Sequence, residues 1–272
     1  MNTKQILFLF CIKIYQLSAT SHDKSLRIIG GRDAVPGEFP YVLKMEQKME
    51  KKDGVFFYFH VCTCSLFKPT WSLTAAHCIL SIEEGTTMSP PVKGVIRNIL
   101  SMFKEPNYRR YKYENDIGLI LSETIHVSSF AKLSSVDYVT LYGSKVLTLG
   151  YGLTIGSNET YGDAHSVNKP LQVLDAVIIK CSVGGIWPAF CLGGICGLWP
   201  ASRPGDSGGP VLHVSGVVGV CAGSDSSKAI TSNQKKKSLK NKINLKRKNI
   251  AAFTPASGYI DWITNVINSI SS

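Results

Sequence analysis

The stretch Gly205-Asp206-Ser207-Gly208-Gly209-Pro210 is the most informative part of this sequence of 272 residues. A serine hydroxyl becomes a nucleophile only when a base removes its proton, and the oxyanion that its attack creates needs nearby donors. The glycines around Ser207 carry no Cβ, so backbone N–H groups can approach such a site closely. The stretch therefore predicts a nucleophilic serine if a base and an acid occur elsewhere in the chain. Without them it is a glycine-rich surface turn.

Two further stretches contain the required base and acid. Thr74-Ala75-Ala76-His77-Cys78 places a histidine after small residues that permit a tight turn, and Cys78 can fix that turn covalently. Asn115-Asp116-Ile117-Gly118-Leu119-Ile120 places one carboxylate before an apolar strand. A buried Asp116 can accept the imidazole N–H and stabilise the imidazolium. Each stretch alone has a structural explanation, so the hypothesis depends on all three together.

Together the three stretches resemble the motifs of the chymotrypsin/trypsin family of serine proteases, in the order His, Asp, Ser. The resemblance covers nearly the whole mature chain, since three more stretches are similar to family motifs: Gly37-Glu38-Phe39-Pro40-Tyr41, Gly150-Tyr151-Gly152 and Tyr259-Ile260-Asp261-Trp262-Ile263. It implies an all-β fold of two packed antiparallel six-stranded β-barrels with a C-terminal α-helix. Short apolar runs separated by turn residues also indicate a β-sandwich or β-barrel.

The resemblance assigns roles to single residues. It implies His77 as general base, Asp116 as the group that orients it and Ser207 as nucleophile. The backbone amides of Gly205 and Ser207 would hold the oxyanion. Peptide hydrolysis by this set needs no metal and no cofactor. The implied protein is a serine endopeptidase that acts on protein or peptide substrates and is open to protein inhibitors of proteases.

The stretch Arg27-Ile28-Ile29-Gly30-Gly31 resembles the activation site of the same family. Cleavage after Arg27 by a trypsin-like protease would free the amino group of Ile28. The resemblance pairs this ammonium with Asp206. Because two buried charges are costly unless paired, the cut would act as a switch that orders the oxyanion hole.

The N-terminus predicts secretion. Lys4 precedes an apolar core from Ile6 to Ile14, and Leu17-Ser18-Ala19 offers a small-residue cleavage site. This run is about half the roughly 20 residues that a membrane-spanning helix needs, so we expect cleavage and an extracellular protein. We also expect a monomer. The expected organisation is a signal peptide at 1–19, a propeptide at 20–27 and a protease domain at 28–272, whose two barrels meet near 130–142.

One residue and one stretch of three residues bear on substrate preference. Ala201 stands six places before Ser207, where trypsin-like members carry the aspartate that binds Lys or Arg, so the resemblance implies small or apolar side chains before the scissile bond. Gly219, Val220 and Cys221 stand where the family has Ser-Trp-Gly, unless the alignment is shifted by one residue. A side chain at Cys221 would narrow the pocket. The alternative function is therefore a catalytically impaired homologue that acts as a binding or regulatory protein.

The remaining cysteines predict disulfides, because secretion passes through an oxidising compartment. Loss of Cys11 with the signal leaves seven, an odd number. The resemblance pairs Cys62 with Cys78 beneath the catalytic histidine. For the other cysteines the resemblance favours Cys181 with Cys191. The sequence leaves alternatives open, because Cys196 can pair with Cys191 or with Cys221, and Cys64 is left over.

The basic charge of the chain is local. Nine Lys and Arg residues and no acid lie between Lys228 and Lys248, and without them the formal charge falls from +11 to +2. Nucleic-acid binding therefore has no wider support. The low-complexity stretch 224–249 is either a solvated exosite for heparin-like or membrane anions, or translated non-coding sequence. Asn158-Glu159-Thr160 is a glycosylation sequon.

Overall fold

The first half of the chain forms a closed barrel of antiparallel strands. The structure is a computed structural model that describes residues 31–50, 53–80, 86–89, 96–110, 114–152, 170–181, 188–194, 205–225 and 250–271. After a short strand β1 (Arg32–Asp33), the barrel strands are β2 (Val42–Glu50), β3 (Phe56–Lys68), β4 (Trp71–Thr74), β5 (Thr86–Ser89), β6 (Arg97–Lys104) and β7 (Gly118–Ser122). A helix, α1 (Ala76–Leu80), follows β4. The strands pair in the order β2-β3-β4-β7-β6-β5, and β5 pairs back with β2.

The strands of this barrel differ in burial. Strand β4 lies between β3 and β7 and is buried from Trp71 to Thr74. In strand β6 the half-buried residues Arg97, Ile99 and Phe103 are separated by an even number of positions, and the other residues are exposed. A strand with one buried face shows this period of two, because successive side chains point to opposite faces.

The second half forms one curled antiparallel sheet. Its strands are β8 (Lys145–Gly150), β9 (Gln172–Ile179), β10 (Phe190–Gly194), β11 (Pro210–His213), β12 (Gly216–Asp225) and β13 (Ile250–Pro255), with β1 added at one edge. The order is β1-β9-β10-β13-β12-β11-β8, and β8 pairs back with β9.

The predicted mostly β fold with a C-terminal helix is confirmed, with one difference in strand number. The second sheet has seven strands, where six were predicted, because β1 pairs with the start of β9, Arg32 opposite Val173. The side-chain amide of Gln172 donates to the Asp33 carboxylate over 2.8 Å, and the Ala34 amide donates to the Leu171 carbonyl over 2.7 Å. These bonds hold the N-terminal strand on the second sheet.

Aromatic side chains and a disulfide hold the second sheet together. The rings of Phe190 and Phe253 stack with centroids 5.7 Å apart, and both are buried. Cys181 and Cys191 form a disulfide that ties the segment after β9 to β10. Stacked aromatic pairs contribute about 0.5–1.5 kcal/mol beyond the area that they bury.

The chain ends in the helix α2 (Ile260–Ser271). Its buried residues Ile263 and Ile267 join a cluster with Trp71 of β4 and Val217 and Val220 of β12. The apolar stripe of the helix thus packs against both halves of the molecule, the core-packing role expected from its spacing. Within the described ranges, none of the helices has the length and apolar character needed to cross a membrane.

Candidate active site

His77 and Asp116 form a close pair in the first barrel. His77 lies in the first turn of α1, directly after the buried strand β4. Its Nδ1 lies 2.7 Å from Asp116 Oδ2, and its backbone amide donates to Asp116 Oδ1 over 2.8 Å. A carboxylate only accepts hydrogen bonds, so Nδ1 carries the proton and Nε2 is the basic nitrogen. Two bonds to one carboxylate fix both the tautomer and the orientation of the ring.

The exposure of the pair differs sharply between its members. The Asp116 side chain is 0% exposed, whereas the His77 side chain is 21% exposed. The carboxylate is therefore shielded from water while the imidazole edge can reach another molecule. A buried carboxylate in contact with an imidazole stabilises the imidazolium that forms when the ring takes up a proton.

Asn115 and Tyr259 position Asp116, and the sequence motifs did not reveal their connection. Asn115 has φ 54°, in the left-handed region that asparagine tolerates better than most residues. Its side chain accepts a 2.7 Å bond from the Tyr259 hydroxyl and donates to the Asn107 carbonyl. Burial raises the pKa of Tyr259, so the phenol keeps its proton and remains a donor. This turn directs Asp116 towards His77.

A disulfide anchors the turn that carries His77. Cys62 of β3 is bonded to Cys78 of α1, with Cα atoms 6.1 Å apart. The donor atoms of Cys62, His77 and Cys78 lie within 4.8 Å of one another, a spacing that could suit a metal ion. The two sulfurs are joined to each other and offer no thiolate, and Nδ1 already faces Asp116. The cluster is therefore a structural anchor for the histidine.

The loop that contains Ser207 packs directly against the strands that lead to His77. The backbone amide of Thr63 in β3 donates to the Ser207 carbonyl over 2.8 Å. Gly208 has φ 76°, and a Cβ there would lie 2.1 Å from Thr74 Oγ1 and 3.1 Å from the Ala75 nitrogen. Only glycine permits this approach. The half-exposed Ser207 is thereby held beside the strand end that precedes His77.

The backbone amides of this loop differ in their partners. The amides of Gly208 and Gly209 donate to the carbonyls of Cys221 and Asp206 over 2.8 and 2.9 Å. Within the part of the chain that the structure describes, the amides of Gly205 and Ser207 donate to no other residue. Two amides without an acceptor among the described residues are what the proposed oxyanion site requires.

Asp206 lies inside the molecule beside the Gly150-Tyr151-Gly152 stretch. It is 7% exposed, and its Oδ1 accepts a 2.8 Å bond from the Gly152 amide. A Cβ at Gly150 or Gly152 would lie 2.2 or 2.4 Å from the Asp206 carboxylate, so both positions need glycine. Burial raises the pKa of the Tyr151 phenol well above its ordinary value, and its hydroxyl donates to the Val42 carbonyl.

The three residues suggested for the pocket wall lie in strand β12. Val220 packs in the cluster that contains Trp71 and Tyr259, and Cys221 packs with Phe190. A Cβ at Gly219 would lie 2.7 Å from the Phe190 ring. The structure therefore buries the side chains of Val220 and Cys221 among core residues.

Several other predicted positions lie outside the described residues. These are the two activation residues, the pocket residue, the sequon and one cysteine: Arg27, Ile28, Ala201, Asn158 and Cys196. The signal peptide and most of the basic stretch 224–249 lie outside them too.

The thiol of Cys64 is free and buried, and its burial raises its pKa.

Comparison with known proteins agrees with this geometry. The family model that matches is Trypsin, over residues 28–263. Granzyme M of Rattus norvegicus is 28% identical over 236 residues, which cover 78% of this chain and 83% of the relative. Trypsin of Xenopus laevis is 29% identical over 229 residues, which cover 74% of this chain and 82% of the relative. The chain therefore belongs to the trypsin family, the chymotrypsin-like serine proteases that its motifs resemble.

Proposed function

We propose that this chain is a secreted serine endopeptidase with His77, Asp116 and Ser207 as its catalytic triad. The observation that carries the proposal is the pair of hydrogen bonds that His77 donates to the Asp116 carboxylate, next to a serine loop that is fastened to the same barrel. An imidazole held in one tautomer, with a basic Nε2, is the base that a serine nucleophile needs.

The reaction follows from these positions. His77 Nε2 takes the proton of Ser207 Oγ as this oxygen attacks a peptide carbonyl carbon. The carbonyl oxygen becomes an oxyanion that accepts from the amides of Gly205 and Ser207, a contribution of about 3–4 kcal/mol per donor. The imidazolium, stabilised by Asp116, then gives its proton to the leaving amine. Water, activated by the same base, hydrolyses the acyl-enzyme.

Activation by cleavage after Arg27 is part of the proposal. The new ammonium of Ile28 would pair with Asp206, whose carboxylate is buried one residue away from Ser207. Taking a carboxylate out of water is costly, and a cation beside it offsets that cost. Because Asp206 lies between Gly205 and Ser207, the pairing would hold both proposed oxyanion donors in place. A trypsin-like protease is the expected activator, and protein inhibitors are expected partners.

The substrate preference that we propose is for small or apolar side chains before the scissile bond, because Ala201 offers no anion to bind Lys or Arg. The alternative, an impaired homologue that acts as a binding protein, relied partly on Cys221 narrowing the pocket. The Cys221 side chain is buried in the cluster that contains Phe190, and the impaired homologue stays the alternative.

Labelling with a fluorophosphonate tests the function directly. We expect the chain to react only after it is cut at Arg27, and Ser207→Ala to remain unlabelled. If labelling shows an active serine, cut protein that has not met the probe would then be used to map peptide preference with a substrate library. A correctly cut and folded chain that does not react would refute the protease function and favour the binding protein. Deletion of residues 228–248 is a separate test of the anion exosite. If this stretch is an exosite, the shortened protein loses its binding to heparin.

A further inference from the structure

We propose that Thr63 is a positioning residue that fixes the Gly205–Ser207 loop in the geometry needed for oxyanion binding. The inference rests on the proposed function and adds a residue outside the three catalytic motifs. Thr63 lies in β3, next to Cys62 of the disulfide that anchors His77. It is 0% exposed, so its hydroxyl can be satisfied only by groups within the protein.

The hydroxyl of Thr63 has two defined partners. It donates to the Gly205 carbonyl over 2.8 Å and accepts a 3.3 Å bond from the Tyr151 amide. A hydroxyl has a single proton, and the Tyr151 amide can only donate, so that proton is directed at Gly205. The donor and acceptor roles of this bond are therefore fixed by the chemistry of its neighbours.

The main chain of Thr63 holds the other end of the same loop. Its amide donates to the Ser207 carbonyl over 2.8 Å, while its own carbonyl accepts from Thr74 Oγ1 over 3.1 Å. One residue thus fixes the carbonyls of both Gly205 and Ser207, whose amides are the proposed oxyanion donors. Thr74 lies three residues before His77, so the same network connects the loop to the base.

The backbone of Gly205 needs such a restraint. Gly205 has φ 97°, and glycine has more conformations available than any other residue. A second donor, His60 Nε2, lies 3.1 Å from the same carbonyl. Loss of the Thr63 hydroxyl would therefore leave the Gly205 carbonyl with one donor. The loop would be less restrained, but this carbonyl would keep one hydrogen bond. A displacement of about 1 Å in a catalytic group can lower a rate by about 100-fold.

Two substitutions separate positioning from packing. Thr63→Val keeps the shape and removes the hydroxyl, whereas Thr63→Ser keeps the hydroxyl and removes a buried methyl group. If Thr63 only filled space, the serine variant would be at least as damaging as the valine variant. If it positions Gly205, the valine variant loses activity and the serine variant restores it.

The rate of fluorophosphonate labelling after cleavage at Arg27 provides the kinetic test. For Thr63→Val we expect the maximal labelling rate to fall about 10- to 100-fold, with the half-saturating probe concentration nearly unchanged. We expect Thr63→Ser to label within about threefold of the parent. Equal rates for the parent and Thr63→Val, or equal losses in both variants, would overturn the inference.

Amide hydrogen exchange of the same three proteins separates this inference from the proposed function. Faster exchange in residues 205–209 of Thr63→Val, with unchanged exchange in α2, would support the positioning role. Unchanged exchange in residues 205–209 of that variant would contradict it. A parent chain that does not label would refute the protease function alone, and the exchange data would still decide whether Thr63 holds the loop.

Discussion

Replacing Gly208 with alanine would disturb the contact between the serine loop and the first barrel. Gly208 has φ 76°, a conformation that costs a residue with a Cβ about 1–2 kcal/mol. The added Cβ would also lie 2.4 Å from the Thr63 carbonyl oxygen and 2.1 Å from Thr74 Oγ1. Relief of such overpacking costs about 1–3 kcal/mol, because backbone must shift. We therefore expect Gly208→Ala to lower the free energy of unfolding by about 2–5 kcal/mol.

Two other glycines serve as matched controls. Gly143 has φ 88° but open space where its Cβ would be, so Gly143→Ala isolates the backbone strain of about 1–2 kcal/mol. Gly258 has open space and no positive φ, so Gly258→Ala should change the free energy of unfolding by less than about 0.5 kcal/mol. The order of destabilisation should be Gly208, then Gly143, then Gly258.

Thermal unfolding of the uncut chain, with Ser207→Ala in every sample, measures these differences without self-digestion. At about 2–4 °C per kcal/mol, Gly208→Ala should lower the unfolding midpoint by about 4–20 °C. Disulfides must stay oxidised in all samples. If Gly208→Ala loses no more stability than Gly143→Ala, the loop does not pack tightly against Thr63 and Thr74.

Three further predictions follow from the site and the core. Asp116→Asn should lower the labelling rate of the cut chain by about 10⁴-fold, because an amide does not impose the Nδ1–H tautomer; a loss below tenfold would contradict this. Replacing both Cys62 and Cys78 with serine opens a loop with a sequence separation of 16 and should cost about 3 kcal/mol in urea unfolding, whereas an unchanged midpoint would show that the anchor is dispensable. Burial raises the pKa values of Cys64 and Tyr151, so the unfolded chain releases these protons at a lower pH than the folded chain does. The free energy of unfolding should therefore fall as pH rises above about 9. Thermal scans from neutral to alkaline pH measure this slope, and a flat profile would count against it.

The sequence predicts the chemistry of the site where that chemistry is local. The His77 and Asp116 motifs each combine one reactive side chain with small or apolar neighbours that set the adjoining turn or strand. These local choices predict strand ends and tight turns within a few residues. The contact between them across 39 positions follows only from the pairing of β4 with β7, which brings the two strand ends together.

Predictions that depended on strand register were less secure. The stretch Gly219-Val220-Cys221 alternates too little in character to show which side chains face the core. The register is instead set by pairing with β11 and β13, where Val220 lies opposite Pro210 and Thr254. A bulge between Cys221 and Gly223 then changes the alternation along the strand. Because a shift of one residue moves every side chain to the other face, sequence could not establish this.

The sequence by itself determined the family, the β fold class, the order of the three motifs and the residues that carry reactive groups. Each of these depends on short stretches of residues with their own turn and strand preferences. Tertiary structure alone decided that Thr63 binds the Gly205 carbonyl and that Tyr259 supports Asn115. Such bonds join residues about 140 positions apart in the chain. They form only after burial removes water as a competing partner, and no local pattern specifies which groups will then meet.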